Sequence, residues 1–284
     1  MQKIPSEIIE FISQNSEIAI FNKPDGFPSS PFDYLFLKEK ELVLHCITLD
    51  IVVNAPTFFQ NLSNAFAQKN LKLIHIWEDV WQSKQEIVKS RILSLLGKSE
   101  TIPARLTQVR RIDKPMLDKF LSVNHLQGTV AAKLKYGLFL PKRYFRVINT
   151  NITPSFINSD ELLVAVASFS NAKKIMRGKE EFRSYELIRF ANLKGHTVVG
   201  GLNKLLKNFI REQNPDDIMT YADSDWSDGS NYEKLGFERI EQTSPLAFEL
   251  DNQTFTRKLK IINTEKASIY NAGNSKFLMK LKND

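Results

Sequence analysis

An α/β fold in two domains is what this sequence predicts, and three observations predict it. Apolar runs of strand length alternate with stretches of helical apolar spacing along the chain. Its 284 residues exceed the roughly 100 to 200 of one average domain. A hydrophobic content of 42% with 20 phenylalanines supplies apolar side chains for two cores, so disorder is not expected.

In the amino-terminal part, "ELVLHCITL" (41–49) reads as a strand and "FFQNLSNAFAQKN" (58–70) as a helix with Phe59, Leu62 and Phe66 on one face. "LKLIHIW" (71–77) reads as a second strand, and "SKQEIVKSRILSLLG" (83–97) as an amphipathic helix that Gly97 stops. A boundary between Gly97 and Pro103 divides the chain into expected domains of 1–100 and 101–284. The second opens on "KPMLDKFLSVNHLQG" (114–128), a helix with Pro115 in its first turn and Gly128 at its end. "AAKLKYGLFLP" (131–141) and "ELLVAVASFS" (161–170) follow as adjacent antiparallel strands and "SYELIRFAN" (184–192) as a third. "GGLNKLLKNFIREQ" (200–213) is a helix opened by a glycine pair, and "DIMTYAD" (217–223) a fourth strand.

Lys and Arg outnumber Asp and Glu by 39 to 32, a formal charge of +7 that suits a polyanionic partner. Basic residues gather in 104–114, 172–183 and 256–266, and such lysines and arginines suit phosphate contacts along nucleic acid. DNA is the expected partner, with RNA open. One cysteine, Cys46, excludes an intrachain disulfide framework and a cysteine-based zinc site. Charges run through "MQKIPSEIIEFISQNSE", and no stretch approaches the roughly 18 apolar residues of a membrane span. The expectation is a soluble, cytoplasmic protein without a membrane partner.

Strand, glycine pair and helix in "HTVVGGLNKLL" form the arrangement in which free backbone N–H groups at a helix start hold a phosphate. "ADSDWSDGSNYEKLGF" (222–237) then places Asp223, Asp225 and Asp228 after the fourth strand. Asp223, at the strand end, is the candidate base or amine-orienting group, while Asp225 and Asp228 are expected to shape a turn that Gly229 permits. Strict alternation puts Glu186 and Arg189 of "YELIRF" on opposite faces. Glu78 and Asp79 in "IHIWEDVW" are expected to cap the strand end, with Trp77 and Trp81 in the core.

The order of elements, closing on Tyr232, Gly236 and Phe237, resembles the GNAT acyltransferase fold, in which the loop after the fourth strand holds the acyl carrier's pyrophosphate. Gly200 fits that family's loop pattern, whereas Thr197 stands where Gln or Arg is expected and Leu202 replaces a small residue. Over roughly residues 31–284 a closer similarity runs through "LKLIHIWEDVWQSKQEIVKSRILSLLG", "ARLTQVRRID", "FLSVNHLQG", "VVGGLNKLLKNF", "YADSDWSDGSNYEKLGF" and "IYNAGNSKFLMK". These motifs resemble, in order, those of homing-endonuclease-like phage proteins, in which a Vsr-like restriction-fold segment precedes a GNAT-like domain. The carboxy-terminal part is also similar to the Mom family of phage DNA-modification proteins.

What the resemblance implies is a degenerate restriction-endonuclease-like amino-terminal domain followed by a GNAT-like acyltransferase domain with a mixed sheet. Asp33 matches the first acid of the nuclease family, and with one residue inserted between the strands His45 falls where the second is expected; a neutral imidazole is a poor Mg²⁺ ligand. The expected function is transfer of a group from acyl-CoA or a related donor to a nucleobase amine, with Asp223, Arg189 and His125 catalytic. Gly200, Gly201, Asn203, Lys204 and Tyr232 are the expected cofactor-binding residues. Leu126 stands where Mom-like proteins carry a Tyr after the histidine. No resident metal is expected. Mg²⁺ belongs only to the alternative of a metal-dependent endonuclease; a non-catalytic DNA-binding protein is the third reading.

Overall fold

The computed structural model describes residues 3–17, 20–22, 25–148, 156–157, 160–177, 179–251, 253–260 and 269–282. It is a mixed α/β protein whose two compact units interleave in sequence. The first comprises Met1–Val88, Ala222–Lys234 and Arg239–Lys276; the second comprises Lys89–Tyr221, Leu235–Glu238 and Phe277–Asp284. A single crossing near residue 100 is the sequence expectation. The chain instead passes over at Val88 and returns after Tyr221, because the segment that follows supplies strands and a turn to the first unit.

In the first unit α1 (Lys3–Asn15) buries Ile4, Ile8 and Ile12, four residues apart on one face. Strands β1 (Ile20–Asn22), β2 (Asp33–Leu37), β3 (Leu42–Ile47) and β4 (Lys72–Trp77) form a sheet in that order. The first two pairings are antiparallel; β3 and β4 are parallel, joined across α2 (Phe58–Ala67), which buries the predicted Phe59, Leu62 and Phe66. Both faces of this pair are covered, so β3 is buried at every position, as parallel strands are. Helix α3 (Glu78–Leu95) starts directly after β4, earlier than the stretch 83–97 predicts, and Lys84 breaks its helical backbone at φ −140°, ψ 34°.

β5 (Glu100–Pro103), β6 (Gln108–Arg111) and α4 (Lys114–Asn124) follow; the Asp113 carboxylate caps α4 by accepting the Met116 N–H at 2.9 Å. Next come β7 (Leu134–Pro141), β8 (Glu161–Phe169), β9 (Lys173–Arg177), β10 (Glu180–Asn192) and β11 (His196–Val199). α5 (Gly201–Gln213) and β12 (Asp217–Asp223) complete the predicted order. β6, β7, β8 and β10 pair antiparallel in sequence, β9 folds back on β10, and β12 joins β10 in parallel. β5 and β11 form a separate parallel pair.

The returning segment contributes α6 (Ser230–Glu233), β13 (Glu238–Gln242), β14 (Ala247–Asp251), β15 (Thr256–Leu259) and β16 (Ile269–Tyr270), then β17 (Asn274–Lys280). β14, flanked by β15 and β16, makes a small antiparallel sheet of the first unit.

Candidate functional sites

The helix start at Gly200 shows which glycine serves what. Gly200 sits at φ +76°, a left-handed backbone that favours glycine, and from there α5 begins. A Cβ on Gly201 would lie 3.0 Å from Val198 and 3.3 Å from Leu138, so that glycine is required for close packing of helix on strand. The first helical bond is Lys204 N–H to the Gly200 carbonyl at 3.0 Å, which leaves the N–H groups of Gly201, Leu202 and Asn203 outside the helical ladder. Asn203 is exposed. Lys204 is already engaged: its ammonium donates to the carbonyls of Ala104 at 2.9 Å and Thr107 at 2.5 Å, and burial lowers its pKa. A cation spent on two carbonyls contributes little to an external phosphate.

On β10 the register with β8 shifts between Leu187, opposite Phe169, and Arg189, opposite Ser168. Ile188 is the extra residue of a β-bulge. Phe169 stacks on Phe209 of α5 at 3.8 Å, so Leu187 points to the α5 side and its neighbour Glu186 to the other. Arg189, opposite Ser168, points to that other side as well. The bulge thus places Glu186 and Arg189 on one face, against the opposite faces that strict alternation predicts. Pairing of β10 with β12 ends at Leu187–Thr220, where the Thr220 hydroxyl donates to the Leu187 carbonyl at 2.9 Å. His125 ends α4, and its Nδ1 accepts the Gln127 N–H at 3.2 Å, closing the turn. Of the expected site residues, Gly200, Gly201, Asn203, Lys204, Arg189 and His125 belong to the second unit; Asp223 and Tyr232 belong to the first.

Within the acidic turn the three aspartates take different roles. Asp223 accepts the Asp225 N–H at 3.1 Å, an Asx turn. Asp228 accepts from the Ser230 N–H at 3.1 Å and hydroxyl at 2.9 Å and faces Lys72 at 3.5 Å, as a turn-shaping residue should. Asp225 is different from the expectation: it is 4% exposed, and its carboxylate accepts the Trp77 indole N–H at 3.0 Å and the Ala272 N–H at 2.7 Å. Burial, with the Asp223 charge adding, pushes its pKa up to about 7 against the pull of Arg257. No local pattern marks it, since its partner indole lies 148 residues earlier.

Arg257, in one of the predicted basic runs, is inside the first unit. Its guanidinium donates to both oxygens of Asp79 at 2.5 and 2.7 Å and lies over the Trp77 ring at 4.7 Å. Asp79 is 1% exposed, so this is a buried pair rather than a surface one. Glu78 accepts the Leu49 N–H at 2.9 Å, the capping role expected of it, while Trp77 and Trp81 are buried.

The nuclease ligand set does not assemble. In the β2–β3 register Asp33 lies opposite Cys46 and Tyr34 opposite His45, so Asp33 and His45 point to opposite faces of the sheet. His45 instead enters a buried relay: Ser30 Oγ to His45 Nε2 at 2.8 Å, His45 Nδ1 to His75 Nδ1 at 2.9 Å, and His75 Nε2 to Ser63 Oγ at 2.8 Å. Burial, then the neighbouring imidazole, drives His45 well below its ordinary pKa, and burial brings His75 to about 3. Both rings are neutral, and one Nδ1 donates while the other accepts. Among the described residues no group of three or more His, Cys, Asp or Glu is placed to hold a metal ion.

Several residues of the basic runs are paired within the chain. Arg110 pairs with Glu161, Arg111 with Glu212 at 3.0 Å and Lys174 with Glu181 at 2.9 Å, while Arg183 caps the carbonyls of Gln213 and Asn214. Residues 261–266 of the third run lie outside the described residues. No helix among the described residues is long and apolar enough to cross a membrane.

No family model and no curated protein matches the chain. Among solved structures, it is similar to a Bacillus subtilis acetyltransferase in complex with CoA, at 12% identity and TM-score 0.34, covering 62% of this chain and 99% of that one. The NatC complex bound to Gag peptide and CoA aligns at 10% identity and TM-score 0.35, over 62% and 99%. The KacTA–DNA complex aligns at 16% identity and TM-score 0.31, over 48% and 86%. At these scores the likenesses carry no argument about what this chain binds or does.

Proposed function

We propose that the chain is a GNAT-like transferase that moves an acyl or related group from an acyl-CoA-type donor to an amine of a DNA base, with a degenerate restriction-fold segment positioning the DNA. The observation that carries this reading is the end of β10–β12 pairing at Leu187–Thr220 in a unit where α5 makes the crossover between those parallel strands. A crossover helix starts at the carboxyl ends of the strands it joins, where open α/β sheets bind ligands. The free N–H groups of Gly201, Leu202 and Asn203 suit a donor's phosphates. Lys204 adds little to that fit, for the reason given above. When bound, such a donor supplies an activated acyl group. Arg189 and Glu186, brought to one face by the bulge, are the polar pair on β10, and Asp223 at the end of β12 orients the amine and accepts its proton. His125 and Tyr232 are the remaining expected contacts, the former through Nε2, since Nδ1 closes its turn.

The opposed faces of Asp33 and His45 speak against the metal-dependent endonuclease. Non-catalytic DNA binding is favoured instead by the use of Gly201 in packing and of Lys204 on two carbonyls. Mass spectrometry of nucleosides from cells expressing the protein separates the two. A new nucleoside lost in Asp223→Ala supports the transferase and identifies the group by its mass. Unmodified DNA and RNA, with DNA retained by the purified protein, would overturn transfer in favour of binding.

A further inference from the structure

We infer that the first unit binds a single neutral aromatic ring bearing a hydrogen-bonding group, in a pocket at the carboxyl ends of β3 and β4. This inference is independent of the transferase reading. The pocket holds about 140 Å³, and Phe32, Phe59, Trp77 and Tyr270 contribute four aromatic side chains to its wall. An engineered apolar cavity of about 150 Å³ takes up benzene, so the space suits one six-membered ring.

The wall sets the ligand's charge. No lining residue carries a charged side chain, and a charged ligand would lose hydration there without a counter-ion. Aromatic walls favour a ring over an aliphatic chain, because offset and edge contacts add to area burial. Trp77 is held in place by its N–H bond to Asp225, so part of the wall is ordered before any ligand arrives. Thr48, in the wall, carries a buried hydroxyl with no hydrogen-bond partner among the described residues. Such a hydroxyl is a standing cost, which a ligand's polar substituent relieves.

Position supports the same reading. Thr48 follows the last residue of β3 and Trp77 is the last of β4, and ligands of open α/β sheets bind outside the carboxyl ends of parallel strands. The loop between β3 and α2 carries Ile51, Val52 and Val53 in succession around the pocket, and Val52 is 49% exposed. An exposed valine between two half-buried apolar neighbours at the rim has a use where a ligand covers it.

The test is a ligand-observed NMR titration of the full chain with toluene, phenol and thymine. Phenol is expected to bind saturably and about five- to tenfold more tightly than toluene, the worth of one hydrogen bond. Thr48→Val, which keeps the shape and removes the unmet hydroxyl, should bring phenol to the level of toluene without unfolding the protein. Leu49→Trp, filling the pocket, should abolish all three. Thymine above phenol assigns a pyrimidine as the occupant, and the reverse order a phenolic ring. Absence of saturable binding by any ring, or phenol affinity untouched by Thr48→Val, overturns the inference.

Discussion

Where the second unit stacks Phe169 on Phe209 at 3.8 Å and sets Tyr185 edge-on to the pair, the first unit threads titratable groups through its interior. His45 and His75 face each other at 2.9 Å, Asp79 grips Arg257, and Asp225 holds the Trp77 indole. Apolar burial stabilises both units. What differs is the response to a proton: a phenylalanine stack has none, whereas each buried ionisable group makes its unit's stability a function of pH. Shared composition therefore conceals two kinds of core.

The largest effects test the two cores side by side. Arg257→Ala leaves the Asp79 carboxylate buried and unpaired, and should cost about 3–5 kcal/mol in urea unfolding at pH 7. Phe209→Ala removes a ring from a packed stack and should cost about 3–5 kcal/mol, unchanged between pH 5 and pH 8. A pH-dependent Phe209→Ala penalty would dissolve the contrast.

A sharper test follows from the signs of the pKa shifts. Both histidines are depressed in the fold, so the stability they contribute is present above about pH 6.5 and is lost as pH falls below it. Asp225 is raised to about 7, so its contribution is present below about pH 3.9 and is lost as pH rises through 7. Below about pH 6.5 the two trends oppose each other, and with two histidines against one carboxyl, stability should rise with pH toward a maximum near pH 6.5. Asp225→Asn removes the opposing trend and should steepen the slope; an unchanged slope would show that Asp225 does not titrate in this range. The smallest effect belongs to the surface: Lys174→Ala breaks an exposed pair with Glu181 and should shift stability by less than about 0.5 kcal/mol at either pH.

Much of the element order is legible in the sequence, because period and glycine placement are local. The buried face of α2 and the presence of strands at 161–170, 184–192 and 217–223 follow from local spacing. The bulge at Ile188 is not legible, since no glycine marks it and only the partner strand reveals the missing step. Asp225, His75 and Arg257 escape for a related reason. Each is defined by a partner far away in the chain, and the charge of Arg257 reads as surface basicity until Asp79 is seen beneath it. Asp223, the aspartate with the most suggestive position in the sequence, supports its own turn in the fold, while its neighbour is the buried one.

The interleaving of the units has a consequence for how the protein is made. Residues 89–221 of the second unit leave the ribosome as one block, but Trp77 waits for a hydrogen-bond partner 148 residues downstream. At roughly 5–20 residues per second that wait lasts roughly 7–30 s, during which His45, His75 and Trp77 belong to a nascent chain that lacks its closing segment. Both units therefore close only once the carboxy-terminal strands have been made, and a chaperone that shields exposed apolar surface would hold the segment before Val88 through the whole of that wait.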